Sequence, residues 1–273
     1  MLSERCFTAY GLRFGLQVQD PAIFDQATLH LPLGWQPAPP GEVDILYSLR
    51  TFSDQDKGAE YQFYCDTRLL ARTVALDQLL LAFANHAQLL TAFRAQDCLF
   101  IHAGVVGWHG PAGWKAILIP GRSMTGKTTL VKALIRAGAT YYSDEFAVLD
   151  KQGRVHPYPV PLSIREQIGR PGTKTPVEAL GGQAGDDPLP VGLVVVAHYQ
   201  PRARWRPQTL SPAQAVLALM DNTVAARRDP AHSMLILKQV VMSAKTIQGK
   251  RGEAKRIIPA LLRELETRQV LQT

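Results

Sequence analysis

Eight residues, Gly121-Arg122-Ser123-Met124-Thr125-Gly126-Lys127-Thr128, constrain this chain more than any other stretch of it. They fit the phosphate-cradling pattern G-x-x-x-x-G-K-[ST] at every fixed position. Their setting fits as well: Ala116-Ile117-Leu118-Ile119 before them reads as a short strand, and Thr129-Leu130-Val131-Lys132-Ala133-Leu134-Ile135 after them as a helix. A polyphosphate needs many convergent N–H donors, and a glycine-rich turn opening a helix supplies them. The pattern therefore predicts a phosphate site formed by Gly121, Arg122, Ser123, Met124, Thr125, Gly126, Lys127, Thr128 and Thr129. In that site Lys127 brings a point charge toward the terminal phosphates, and the Thr128 hydroxyl is a ligand for magnesium.

Asp144-Glu145 is the second informative feature. A helix from Thr128 to Ala137 carries the chain about 15 Å from the loop at 1.5 Å per residue. A stop at Gly138 and a strand of roughly four or five residues return it by a similar distance. Asp144 is thus expected beside the phosphate loop on an adjoining strand. One carboxylate of the pair can hold magnesium and the other can accept a proton from an attacking hydroxyl. An acidic surface turn is the simpler alternative. His102 lies inside an apolar strand, where a histidine is usually a hydrogen-bonded core residue. Its strand leads into the phosphate-loop strand through a hairpin, so it could also orient or tune Asp144.

The texture of the chain changes near residue 75. Residues 1–75 read as a β-rich region: Phe7 to Val18 alternates loosely, and Val43 to Leu49, Tyr61 to Cys65 and Leu69 to Arg72 read as strands. From Leu76 to Arg94, apolar residues recur at three- and four-residue spacing, which predicts a helix. That helix is expected to open a second domain, residues 76–273, and to pack upon it, with His86 as a packed core histidine. Strands are expected at Leu99–Val106 and Trp114–Ile119 with a turn over 107–113, then at Thr140–Ser143. A hairpin follows, turned at Lys151-Gln152-Gly153-Arg154. The polar, glycine-rich tract from Arg170 to about Pro190 reads as a flexible loop. Val191–Tyr199 reads as a buried strand, Ser211 caps a helix to about Ala226, and Pro259 opens another to about Gln269.

Composition narrows the setting. Of 273 residues, 46% are hydrophobic and 19% charged, the balance of an ordinary globular protein. No apolar run approaches the roughly 20 residues that span a bilayer, and the first residues lack the order of a secretory signal. The three cysteines are odd in number and far apart, suggesting neither a disulfide framework nor a zinc site. A cytoplasmic protein with no membrane partner is the expectation. The net charge of +7 is densest at Arg202-Ala203-Arg204-Trp205-Arg206. No nucleic-acid motif accompanies it, so that stretch reads as a solvated basic edge or a surface for an anionic substrate.

Taken together, Ile101-His102-Ala103-Gly104, the loop from Gly121 to Thr128, Arg136-Ala137-Gly138 and Tyr142-Ser143-Asp144-Glu145 resemble the catalytic domain of the HPr kinase/phosphorylase family. The closer likeness is to HPr-kinase-related proteins, in which Ser-Asp-Glu often replaces paired aspartates. Pro157 to Arg165 resembles a proline-rich segment of those relatives, and the resemblance covers roughly residues 76–240. It implies an α/β fold, the mixed sheet with a P-loop that HPr kinase shares with phosphoenolpyruvate carboxykinase, behind a smaller β-rich N-terminal region. It also implies an ATP- and Mg2+-dependent kinase acting on a hydroxyl, most simply serine, of a protein or peptide. Asp144 would be the catalytic base and His102 its helper, with Lys127 polarising the donor. Thr128 and Glu145 would face the metal, and Arg165 would lie near the phosphates or the acceptor. A homo-oligomer is compatible with the likeness. The family's glycine-rich second signature is missing here, so neither HPr as substrate nor reverse phosphorolysis is implied. A kinase for a small hydroxyl compound and a nucleotide-binding scaffold with little turnover are the alternatives.

Overall fold

The computed structural model describes residues 3–54, 58–121, 125–164 and 172–266. The chain is mixed α/β and divides into two compact units, Met1–Asp97 and Cys98–Thr273. In the first unit, β1 (Ser3–Ala9) and β2 (Leu12–Val18) form a hairpin. Its turn residues, Tyr10 and Gly11, both have positive φ, the geometry that matches strand twist. Helix α1 (Pro21–Thr28), capped by the Asp20 carboxylate, carries the chain over to a strand parallel to β2. After β3 (Gln36–Ala38) come β4 (Ile45–Asp54), β5 (Gly58–Cys65) and β6 (Arg68–Thr73). The six strands lie in the order β3-β1-β2-β4-β5-β6.

Helix α2 spans Leu76–Arg94, the range its periodicity predicts, but its partner differs from the expectation. Leu79, Leu80, Phe83 and Ala87 are buried in one core with Phe14, Tyr47 and Phe63 of the six-stranded sheet. The helix therefore belongs to the first unit, and the division falls after Asp97 rather than at 75/76. Periodicity says that a helix face must be covered and says nothing about which sheet covers it. His86 is packed among aromatics as expected, edge-on to Tyr47 and Phe63, and burial lowers its pKa.

The second unit begins with β7 (Leu99–Gly110) and β8 (Gly113–Pro120). These strands run further than the sequence suggests and leave a two-residue turn, because His109 and Trp114 pair across the hairpin, ring against ring. Then come α3 (Lys127–Arg136), β9 (Thr140–Ser143), β10 (Phe146–Leu149), β11 (Arg154–His156), β12 (Leu162–Ile164) and β13 (Thr173–Thr175). A 3-10 turn at Val177–Leu180 leads to β14 (Leu189–Tyr199), β15 (Gln208–Thr209), α4 (Pro212–Met220) and α5 (Pro230–Ser243). The described chain ends with β16 (Lys245–Arg251) and α6 (Ala254–Glu266). The main sheet runs β11-β10-β7-β8-β14-β16-β15, with β9 also on β7, and the path closes through a β11–β14 pairing. Helices α4 and α5 share the core on one face with Val105, Leu118 and Val194. Helices α3 and α6 share the other with Ile117, Leu193 and Val195.

Helix α1 lies where the sequence reading assigns no element, α4 ends at Met220 rather than near Ala226, and further stretches depart as well. The tract before Pro190, where described, is packed rather than loose: a Cβ on Gly182 would come within 2.5 Å of Ile135. Helix α5 and strand β16 fall where the sequence reading assigns no element, although Ser233, Ile236, Leu237, Val240 and Val241 keep a helical period. The last helix starts at Ala254, so Pro259 lies inside it instead of opening it. Burial of Ala254, Ile257, Ile258, Leu261 and Leu265 along one stripe outweighs the proline's lost N–H.

Candidate functional site

Strands β8, β14 and β16 are parallel, so their C-terminal ends meet at one edge of the sheet. The segment with the phosphate-loop pattern, Gly121 to Thr128, leaves β8 there. Gly121 donates its N–H to the His102 carbonyl at 3.0 Å, and a Cβ on it would strike Thr125 Oγ1 at 2.6 Å, so the turn requires glycine. Gly126 has φ of 86° and caps α3 without a side-chain bond. The first turn of an α-helix carries N–H groups with no partner within the helix, and the helix dipole favours an anion there. Lys127, Thr128 and Thr129 form that first turn. Arg122, Ser123, Met124 and Arg165, also expected at the site, lie outside the described residues.

The return strand brings Asp144 to the loop. β9 and β10 both pair with β7, Ser143 opposite Val105 and Phe146 opposite His102, so Asp144 stands opposite Gly104. Gly104 has to be small: a Cβ would come within 2.5 Å of Val131 on α3 and 3.7 Å of Asp144 Oδ1. Without a side chain at 104, α3 settles onto the sheet and its Thr128 hydroxyl donates to Asp144 Oδ2 at 2.7 Å. Asp144 is only 8% exposed, and its Oδ1 is buried without a hydrogen-bond partner. Burial raises its pKa to about 6; the Thr128 bond and the charges of Lys127 and Lys174 pull the other way.

Ser143 explains why the pair is held so firmly. Its buried Oγ accepts from the N–H groups of Glu145 (3.2 Å) and Phe146 (3.1 Å), pinning the chain on both sides of the carboxylates. Ser143→Ala leaves those donors without that acceptor, and a loss of about 2 kcal/mol in urea unfolding is expected. Glu145, half-buried, lies close enough for its charge to raise the pKa of Asp144 and to offset the fall that burial imposes on Lys127. His102 occupies the same face of β7 as Gly104. Its ring is 4.7 Å from that of Phe146, and its backbone is tied to Gly121.

Two cations were missed by sequence reasoning. Lys174, opposite Ser163 in the β12–β13 hairpin, acts electrostatically on Asp144. Arg251, only 2% exposed, donates to the Gly126 carbonyl at 2.8 Å. Neither lies in a recognisable motif; each reaches the site through strand pairing alone. Arg202, Arg204 and Arg206 are exposed as expected, while Trp205 turns inward against Gly249.

Among the described residues no three His, Cys, Asp or Glu side chains converge on a common metal position. Magnesium needs no such cage, because it is usually held by one or two carboxylates together with substrate phosphates and water. The half-buried Glu145 carboxylate and the Thr128 hydroxyl suit that donor set. The hydroxyl spends its hydrogen on Asp144 and keeps its lone pairs.

The raised pKa of Asp144 has a consequence for the ligand-free protein. The native carboxyl holds its proton to about pH 6, the unfolded one only to about 3.8. Between those values the native state binds more protons, so this group makes stability fall as pH rises through the window. Denaturant midpoints between pH 4 and 6 should show that trend, and it should be absent in Asp144→Asn.

No described helix is long and apolar enough to cross a membrane. No protein-family model matches this chain, and no curated protein matches it in sequence.

Proposed function

We propose that the second unit is an ATP- and Mg2+-dependent kinase of the HPr-kinase-related type, transferring phosphate to a hydroxyl, most simply serine, of a protein or peptide. The observation that carries this reading is the Thr128–Asp144 bond of 2.7 Å at the N-terminus of α3, beside a buried carboxylate oxygen with no partner. A site for phosphate alone has no need of a buried proton acceptor; a site for transfer does.

The N–H groups of Gly126 to Thr129 and the Lys127 ammonium hold the β- and γ-phosphates. Thr128 and Glu145 would hold magnesium, which when bound would offset the charge of the phosphates. The acceptor oxygen forms its bond to the γ-phosphorus as the bond to the β-bridging oxygen breaks. The acceptor's proton passes to Asp144 Oδ1, and ADP leaves. His102, packed against Phe146 with its ring tilted and bonded through its carbonyl to Gly121, orients this end of β7. The test is transfer of label from γ-labelled ATP to serine-containing peptides, run beside a panel of small hydroxyl compounds. Label in a peptide serine supports the reading. Label only in small compounds moves the acceptor class, and nucleotide binding without label anywhere favours a scaffold.

A further inference from the structure

Tyr199 and Arg251 stand beside the phosphate loop, and the chemistry above uses neither. β14 and β16 end in register at these two residues. The Arg251 guanidinium is buried, donates to the carbonyls of Gly126 (2.8 Å) and Gly252 (2.9 Å), and lies 5.4 Å from the centre of the Tyr199 ring. A Cβ on Gly126 would collide with Arg251 Nη2 and come within 3.8 Å of Tyr199 Cβ, so both side chains abut the last glycine of the loop. Tyr199 nevertheless remains 51% exposed. An aromatic ring backed by a buried cation, clamped to the phosphate loop and left half in water, is a poor use of apolar surface unless something stacks on it.

Strand order decides which end of a bound polyphosphate this pair meets. β8 delivers the loop and lies between β7 and β14. Asp144 faces Gly104 of β7, so the reacting γ-phosphate belongs on the β7 flank. The other end of the phosphate chain then emerges on the β14 flank, at Tyr199. We propose that Tyr199, backed by Arg251, is the platform on which the base of a nucleoside triphosphate stacks, making the donor a nucleotide rather than inorganic pyrophosphate or polyphosphate. This assignment rests on the reading of the loop as a triphosphate site. Stacking on an aromatic face tolerates different bases, so the platform requires a base without choosing between adenine and guanine. Arg251 is a positioning residue: it fixes Gly126 and the ring together.

The test is calorimetric binding of MgATP, MgGTP and magnesium tripolyphosphate to the full chain, to Tyr199→Ala and to Tyr199→Phe. ATP affinity should fall about tenfold in Tyr199→Ala and stay within about twofold in Tyr199→Phe. GTP should follow ATP, and tripolyphosphate should bind all three proteins alike. If tripolyphosphate and ATP both bind and Tyr199→Ala leaves ATP affinity unchanged, the platform is wrong and the phosphate site stands. Equal weakening of ATP and tripolyphosphate would mean that Tyr199 acts through the loop, which also overturns the platform. A wild-type chain that binds neither ligand overturns both readings.

Discussion

Replacing Asp144 with asparagine should cut phosphate transfer by about 10²–10⁴ and leave the fold intact. Asparagine keeps the shape of the side chain and an oxygen for the Thr128 hydroxyl, but it cannot take a proton. Stability should not drop, and at pH 7 without ligand it should rise. An ionised carboxylate at this buried position costs roughly 3 kcal/mol, given a pKa of about 6 against 3.8 when unfolded. Part of that gain is returned by the amide hydrogens, which also need partners. Single-turnover transfer from labelled ATP and thermal unfolding of the same preparation check both halves. A higher melting temperature with nearly absent transfer separates chemistry from folding. Transfer at the wild-type rate by Asp144→Asn removes this carboxylate from the reaction.

Lys127→Ala should lower transfer by about 10²–10³, the scale of removing one aimed donor from a site where charge develops. Lys127 is the first residue of α3, and burial lowers its pKa while Asp144 and Glu145 partly restore it. An ammonium already desolvated and under the charge of two carboxylates is poised when a phosphate arrives, so its loss falls on binding and on chemistry together. Tripolyphosphate affinity should weaken by about tenfold or more, on the same scale of a charge-assisted hydrogen bond. Arg136→Ala, an exposed cation at the far end of α3, should change neither quantity appreciably and serves as the control for net charge. Equal transfer by Lys127→Ala and the wild type would rule out the loop as the seat of the reaction.

The parts of the site that could be read from residues alone share one property: their geometry is local. A glycine pattern, a strand before it and a helix of known rise after it put Asp144 back at the loop by length arithmetic, and the Thr128–Asp144 bond lies there. Ser143 was visible as a residue, but its job of holding two N–H groups was not, because that depends on where the backbone turns. In the sequence Gly104 is visible only as part of a motif. Its reason, the approach of Val131 and Asp144, appears once α3 lies on the sheet. The extent of α2 was legible from its period and its partner was not, since a stripe of apolar residues fits any open sheet face. Strand β16 has weak alternation and a glycine near its middle, and it becomes a strand by pairing with β14.

By itself the sequence determined the phosphate-loop pattern, the helix that follows it and the carboxylate pair one crossover later, because each depends on residues close in the chain and on fixed rises per residue. Only the tertiary structure decided that Arg251, 125 residues beyond Gly126, would hold that glycine's carbonyl, and that Tyr199 would stand beside it. Parallel pairing brings together strand ends that no local spacing relates, and burial then sets the charges: the carboxylate and the ammonium at the loop have the pKa directions of desolvated groups because α3 closes over the sheet.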